Sequence, residues 1–208
     1  MSDERDGFAG KAERWSETAY AAPDAYLTHR AALVESLGVE LAAGDDVLDL
    51  ACGDGGLGER LVARGFAYRG VDAEPAMVEA ARRRLGARAS VELGELDAYV
   101  PPAPVAATTV FRAIYYTKDR QAFFARVRTF TRRKLVFDLN PRQYPVDRIV
   151  AELESAGFAR VALRPFLVPQ TKRVPIAALG AVGLLERTPP ARLALKWRFT
   201  YLVAAVVD

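Results

Sequence analysis

The chain has 208 residues, of which 51% are hydrophobic and 26% charged, with one cysteine and one histidine. A single cysteine excludes an internal disulfide and a cysteine-based metal centre, and no run reaches the ~18 uninterrupted apolar residues of a membrane span. The net charge is +3, but the first 104 residues carry 11 basic and 19 acidic side chains, whereas the remainder carry 18 and 7.

Such asymmetry raises the question of an anionic partner. The basic residues are mostly arginine and lie scattered among apolar residues, without interleaved stacking aromatics, so nucleic acid is not the partner expected. The N-terminal stretch MSDERDGFAGKAERW has no apolar core of a secretory signal. Together with the lone cysteine, this points to a cytoplasmic protein.

In chain order, residues 8 to 43 read as helical, with apolar positions at helical spacing in AYLTHRAALVESLGVEL and Gly38 near the end. Strand-like runs follow at 47–51, 68–72, 89–93, 106–112, 134–140, 160–168 and 197–206. Helical patterns separate them at about 56–65, 75–86, 119–131 and 146–157. Pro75 suits a first helical turn, and Gly65 and Gly157 stand where helices should stop. A strand alternating with a helix over five units predicts an α/β fold, doubly wound, with a mostly parallel seven-stranded sheet and helices on both faces.

The whole chain, 1–208, is expected to be one domain. Its parts are an N-terminal helical lid (1–43), a core (44–168), and an apolar connection with the final strand (169–208). Within the connection, VPIAALGAVGLL at 174–185 is too short to span a membrane and reads as buried or as a greasy surface. Peripheral membrane contact is compatible with it. The length of this connection suggests short helices that wall a pocket.

The stretch VLDLACGDGGLGERL at 47–61 sits where a doubly wound sheet binds ligands, between the first strand and its helix. Gly53, Gly55 and Gly58 spell the G-x-G-x-x-G dinucleotide fingerprint. Yet Asp49 and Asp54 flank and interrupt it, with no basic residue before Arg60. Two carboxylates would repel a pyrophosphate, but they suit a ligand carrying an ammonium and a sulfonium. Asp72, at the end of the second strand, is placed to accept two hydrogen bonds from a ribose diol.

These residues resemble the class I S-adenosylmethionine-dependent methyltransferases. The family's first motif maps onto Asp49-Leu50-Ala51-Cys52-Gly53-Asp54-Gly55, with Ala51 where the family prefers glycine. The second maps onto Gly70-Val71-Asp72, followed by Ala73 and by Met77 at the position that packs on adenine. In LGELDAYVPP, Glu95 and Leu96 match the residues that meet the adenine edge, with Asp97 as competitor. The resemblance covers about 45–168 and implies S-adenosyl-L-methionine as cofactor, held by Asp49, Ala51, Gly53, Gly55, Asp72, Ala73, Met77, Glu95, Leu96 and Arg112. It also implies that VFRAIYYTKDRQAFFARV lines the methionine end and that the N-terminal helices cover the substrate.

In-line methyl transfer needs alignment and exclusion of water, and a base only for some acceptors. The candidates for catalysis are His29, Tyr115 and Tyr116. His29 reads more readily as a satisfied structural group than as a proton acceptor, and Trp15, Tyr20 and Tyr26 either pack within the lid or contact the substrate. Cys52 reads as a small buried residue, and Arg82-Arg83-Arg84 as a solvated helix face. Arg112 either binds an acidic group or pairs with a surface carboxylate. No Asn-Pro-Pro-Tyr or Asp-Pro-Pro-Tyr follows the fourth strand, which favours a small-molecule acceptor, and the apolar stretches at 161–168 and 174–185 favour a hydrophobic one. An NAD(P)-dependent oxidoreductase and a non-catalytic binding protein of the same fold are the alternatives.

Overall fold

The computed structural model describes residues 12–194 and 200–208. The first residues of the expected lid (1–11) and the start of the expected final strand (197–199) lie outside the described residues. A 3-10 turn, Ala12–Arg14, leads into α1 (Trp15–Ala19) and α2 (Pro23–Ser36). The repeating core runs β1 (Asp46–Leu50), α3 (Gly56–Ala63), β2 (Ala67–Asp72), α4 (Pro75–Leu85), β3 (Ser90–Leu93) and β4 (Val105–Val110). It continues with α5 (Arg120–Phe130), β5 (Thr131–Leu139), α6 (Val146–Ser155) and β6 (Arg160–Phe166). Two short helices, α7 (Leu179–Leu185) and α8 (Pro189–Ala194), precede β7 (Thr200–Val206).

The seven strands form one sheet in the order β3-β2-β1-β4-β5-β7-β6. Neighbours from β3 to β5 are parallel, and β7 is antiparallel to both β5 and β6. The strand order reverses between β1 and β4, which opens a crevice at their carboxyl ends. The expected architecture is therefore borne out, with β7 inserted next to the parallel strands.

Strand alternation explains the two covered faces. Val47, Tyr68, Ala107, Val136, Leu202 and Ala204 point to the face packed by α2, α3 and α4. Leu48, Leu50, Val71, Leu135, Phe137, Val203 and Ala205 point to the opposite face, packed by α5 and α6. Both faces are apolar, so the central strands read as continuous hydrophobic runs rather than alternating ones.

Lys134 is the exception inside that run. It is fully buried, and its Nζ donates to the carbonyls of Glu35 (2.9 Å), Leu37 (2.9 Å) and Val39 (2.5 Å). Those carbonyls lie at and just beyond the carboxyl end of α2, where a helix leaves acceptors unpaired and favours positive charge. Burial and the Arg133 guanidinium push the ammonium down to about 7. The contact ties α2 to β5.

The segment 174–185 divides between two environments. Leu179 and Val182 pack on the α2 face, while Ile176, Leu184 and Leu185 are exposed. No helix among the described residues is long and apolar enough to cross a membrane.

Candidate active site

The loop after β1 owes its shape to three consecutive odd positions in the left-handed region: Ala51 (φ 62°), Gly53 (φ 57°) and Gly55 (φ 75°). Gly53 and Gly55 adopt this at no steric cost, whereas Ala51 is strained there. The glycine preference at position 51 thus has a backbone cause, and Ala51 lies just past the strand in which the pattern placed it. Gly58 serves packing instead: a Cβ there would sit 2.5 Å from the Tyr68 ring, so α3 seats directly on β2.

Asp49 lies between Gly70 and Thr109 in the register of β1 with β2 and β4. Its carboxylate is buried (3% exposed) and accepts from Thr109 Oγ1 at 2.7 Å and Tyr68 Oη at 2.8 Å. Burial nonetheless pushes its pKa up to about 6, against those two hydroxyls. Asp72 accepts from the Gly53 amide at 2.8 Å and the Glu74 amide at 3.0 Å, so its carboxylate is fixed against the loop. Burial raises its pKa as well. Two carboxylates destabilised by burial stand beside the left-handed loop, and both gain from a cation or a hydroxyl donor.

Asp54 acts differently from the reading of two loop carboxylates turned to one ligand. It accepts from Ser16 Oγ (2.5 Å), the Ser16 amide (3.0 Å) and Arg84 Nη2 (2.8 Å). Arg84 neutralises it, and Ser16 brings α1 down onto the loop. The Trp15 ring follows, its Cδ1 3.3 Å from where a Cβ on Gly53 would stand. Ala12 and Trp15 also pack with Met77 and Ala80 of α4. Nor is the Arg82–Arg84 run a plain solvated face. Arg82 donates twice to the Val91 carbonyl, at 2.8 and 2.9 Å, and Arg84 joins α4 to the loop. The reason is that a tight strand–loop–helix unit needs donors for its inward carbonyls.

Beyond β3, Glu95 is exposed and Leu96 half-buried against the α5 face. The Leu96 carbonyl accepts from Arg126 Nη2 at 2.5 Å, and Asp97 caps the Lys118 amide at 3.0 Å. Ala73 lies between Asp72 and the Glu74 N-cap of α4, whose carboxylate accepts from the Ala76 amide at 3.4 Å. Cys52 is buried, and burial raises its thiol pKa well above the usual value, as suits an inert residue.

A second cluster lies over β4 and β5, assembled from segments far apart in sequence. β4 ends at Val110, and Arg112 is left-handed (φ 55°), its amide donating to Asp138 Oδ1 at 2.7 Å. The Arg112 guanidinium lies 5.5 Å from the Trp15 ring and 5.7 Å from the Tyr20 ring. Arg30 is 2% exposed and sits 4.3 Å over Phe111 and 4.7 Å over Tyr26. Its Nη2 donates to Tyr26 Oη at 2.9 Å and lies 3.6 Å from Asp138 Oδ2. Tyr20 and Tyr26 stack at 4.2 Å, completing a cage under α1.

Tyr115 and Tyr116 lie in a 3-10 turn, Ile114–Tyr116, rather than on a strand. Both are therefore exposed (41% and 51%), with ring centroids 4.6 Å apart. Although its ring edge is exposed, partial burial of the phenol, with the neighbouring Tyr116, pushes the Tyr115 pKa up to about 12. His29 is buried, its Nε2 2.8 Å from Glu186 Oε2, while Glu186 Oε1 accepts the Leu167 amide at 2.7 Å. That pair joins α2 to the end of α7.

Residues 47–134 match a family model described as a methyltransferase domain. Over 67 residues, 31% of the chain, the sequence is 45% identical to an uncharacterized methyltransferase of Schizosaccharomyces pombe. The matched stretch spans only 25% of that protein. Among solved structures, the chain is similar to a TehB-like S-adenosylmethionine-dependent methyltransferase from Corynebacterium glutamicum, with TM-score 0.64 and 15% identity, covering 99% of this chain and 100% of that one. The glycopeptide N-methyltransferase MtfA, solved with S-adenosylmethionine, has TM-score 0.64 and 16% identity over 87% and 94% of the two chains. A Haloferax volcanii putative methyltransferase, solved in complex with the Trm112 activator, has TM-score 0.63 and 17% identity over 97% and 98%.

Proposed function

We propose that this protein is a class I S-adenosylmethionine-dependent methyltransferase that transfers a methyl group from S-adenosylmethionine to a small molecule, a reading supported by the match of residues 47–134 to a methyltransferase domain and by the shared fold. The observation that carries the reading is the Asp72 carboxylate, fixed by the Gly53 and Glu74 amides beside a left-handed loop and a buried Asp49. A dinucleotide's pyrophosphate would meet those two anions, with the Arg84 charge already spent on Asp54.

The roles follow from what each group offers. Asp72 and Ala73 take the ribose, Met77, Glu95 and Leu96 the adenine, and Gly53, Gly55 and Ala51 supply close backbone approach. Asp49 holds a proton or faces a cation, and a ligand ammonium would take over the charge compensation that burial denies it. The bound donor would supply an activated sulfonium methyl, so the chain has only to align the acceptor and exclude water. Trp15 and Ser16 do the latter by closing α1 over the loop.

Tyr115, with its proton held to about pH 12, serves as a hydrogen-bond donor at neutral pH rather than as a base, and Tyr116 stacks beside it at the mouth. His29, engaged with Glu186, is assigned to anchoring the cover of the site. The acceptor set therefore favours groups that attack without a protein base. The cytoplasmic location belongs to the same proposal.

Thermal unfolding with added ligand tests the reading. Saturating S-adenosylhomocysteine at about 100 times its Kd should add roughly 2.7 kcal/mol and raise the midpoint by several degrees. NADH should leave it unchanged. Stabilisation by NADH alone would replace the methyltransferase reading with the oxidoreductase one.

A further inference from the structure

A surface helix ordinarily turns an apolar stripe to the core and a polar one to water. The chain from 174 to 185 does not, because VPIAALGAVGLL contains no polar side chain at all. It forms a 3-10 turn, Ile176–Ala178, that runs directly into α7. Positions 179, 182, 183 and 186 make the inward stripe. Leu179 and Val182 pack on the α2 face, a Cβ on Gly183 would stand 3.7 Å from the His29 ring, and Glu186 bonds His29. The outward stripe is left apolar and wet: Leu184 (68%) and Leu185 (52%) are exposed on it beside Gly180 and Ala181. Ile176 (58%) and Ala177 extend the exposed surface through the turn before it. Contiguous apolar surface of this kind marks a contact.

The charge around the stretch has one sign. Lys172 and Arg173 precede it and Arg187 follows it; all three are exposed, and none has an ion-pair partner among the described residues. Glu186 is the one acid between 169 and 194, and its carboxylate is buried, held by His29 and the Leu167 amide. The acids of the neighbouring helices α1 and α2 are committed elsewhere: Glu17 to Arg14, Asp24 to Arg60 and Glu35 to Arg64. Both ends of the ridge are also tied down. The Gln170 carbonyl accepts the Ala21 amide at 2.8 Å and its Nε2 donates to the Ala19 carbonyl at 3.2 Å, while Glu186 fixes the far end to α2.

We propose that this face docks the protein on an anionic lipid bilayer, with Ile176, Leu184 and Leu185 entering the acyl boundary and Lys172, Arg173 and Arg187 meeting the headgroups. Aliphatic side chains bracketed by basic ones suit an interface where the apolar part sinks and the cations stay at headgroup level. Stable attachment takes two signals, burial and charge, and both are present. A second copy docked by a two-fold would bring two sets of like cations together with no acid between them. A protein partner is usually gripped by aromatic anchors, whereas the exposed side chains of this ridge are aliphatic. The docking does not depend on what the crevice binds. Because Gln170 is bonded to the end of α1, it would set the cover of the crevice beside the lipid surface.

Co-sedimentation of the full chain with phosphatidylcholine vesicles, with and without about 30% phosphatidylserine, tests this at about 0.1 M salt. Binding should be about a hundredfold tighter with phosphatidylserine, from about fivefold for each of the three cations. Lys172→Gln with Arg173→Gln should weaken it about 25-fold. Leu184→Asp with Leu185→Asp should weaken it by about a hundredfold or more. All four side chains are exposed, so both variants should keep the wild-type unfolding midpoint within about 2 °C. Should the aspartate pair fail to fold, Leu184→Ser alone decides, with a loss of about tenfold expected. Absence of wild-type binding to the phosphatidylserine vesicles overturns the proposal. So does binding that survives Leu184→Asp with Leu185→Asp, since the attraction would then be that of any basic surface. A dimer in analytical ultracentrifugation that Leu184→Asp converts to monomer, with no vesicle binding by the wild type, would give the face to a second copy and also overturn it.

Discussion

Two halves of one crevice sit side by side at the carboxyl edge of the sheet. Over β1 and β2, Asp49, Gly53, Gly55 and Asp72 come from 24 consecutive residues and present a buried and a half-buried carboxylate with bare backbone. Over β4 and β5, Arg30, Arg112, Tyr20, Tyr26 and Asp138 come from distant parts of the chain and present a buried and a half-buried guanidinium in an aromatic cage. The contrast shows how one fold separates its tasks. The first half is shaped by backbone angles and the second by side chains brought together from distant segments.

The strongest way to break the first half without touching the second is Asp72→Ala. It removes an acceptor of two charge-assisted bonds, each worth roughly 1.5–3 kcal/mol. It also frees the Gly53 amide that shapes the loop. Affinity for S-adenosylhomocysteine should fall by about a hundredfold or more.

Asp49→Asn should act next, lowering that affinity by about tenfold. Its pH signature is specific. The folded carboxyl titrates near 6, above its unfolded value of 3.8, so the folded chain holds the extra proton between those two values. Stability owed to Asp49 is therefore fully present below pH 4 and lost as pH rises through 6. Without ligand, Asp49→Asn should be more stable than the wild type at pH 7.5, with the gap closing toward pH 4 in thermal unfolding. Donor affinity should run the other way, weakening in the wild type as pH falls below 6 and staying level in the variant.

A smaller effect is expected at the seam where α1 closes on the loop. Ser16→Ala removes the Oγ bond to Asp54 and should cost about 1 kcal/mol, or a midpoint drop of roughly 2–4 °C. Amide exchange in α1 should quicken more than exchange in β1. Ala51→Gly should be the mildest change and of opposite sign, a gain of up to about 1 kcal/mol from relief of the left-handed alanine. A loss at Ala51→Gly would mean that the methyl group packs a contact the loop needs.

The same contrast explains what could be read in advance. The seven strands and the four helices between them are legible because each is a short apolar run bounded by Gly, Pro or a capping acid, as at Glu74-Pro75 and Asp119. The loop after β1 is legible because its residues are contiguous and its spacing encodes backbone angles. Asp54 was misplaced for the opposite reason: a sequence records that a carboxylate is present but not which way it turns, and Ser16 and Arg84 lie 38 and 30 residues away. Arg30 in AYLTHRAALVES carries no local sign that it is caged, nor does Lys134 show that it caps α2. The fourth strand, expected to run to 112, ends at Val110 because Asp138 binds the Arg112 amide and turns the chain, a contact 26 residues away that no local pattern records.

The central claim is that the carboxylates of the β1–β2 half hold S-adenosylmethionine and exclude a dinucleotide. Its most direct test is calorimetric titration of S-adenosylhomocysteine and of NADH into the wild type and Asp72→Ala at pH 7.5. Micromolar binding of S-adenosylhomocysteine that collapses in the variant, with no heat from NADH, is the predicted result. Binding of NADH in preference, or S-adenosylhomocysteine affinity unaffected by the loss of Asp72, would contradict it.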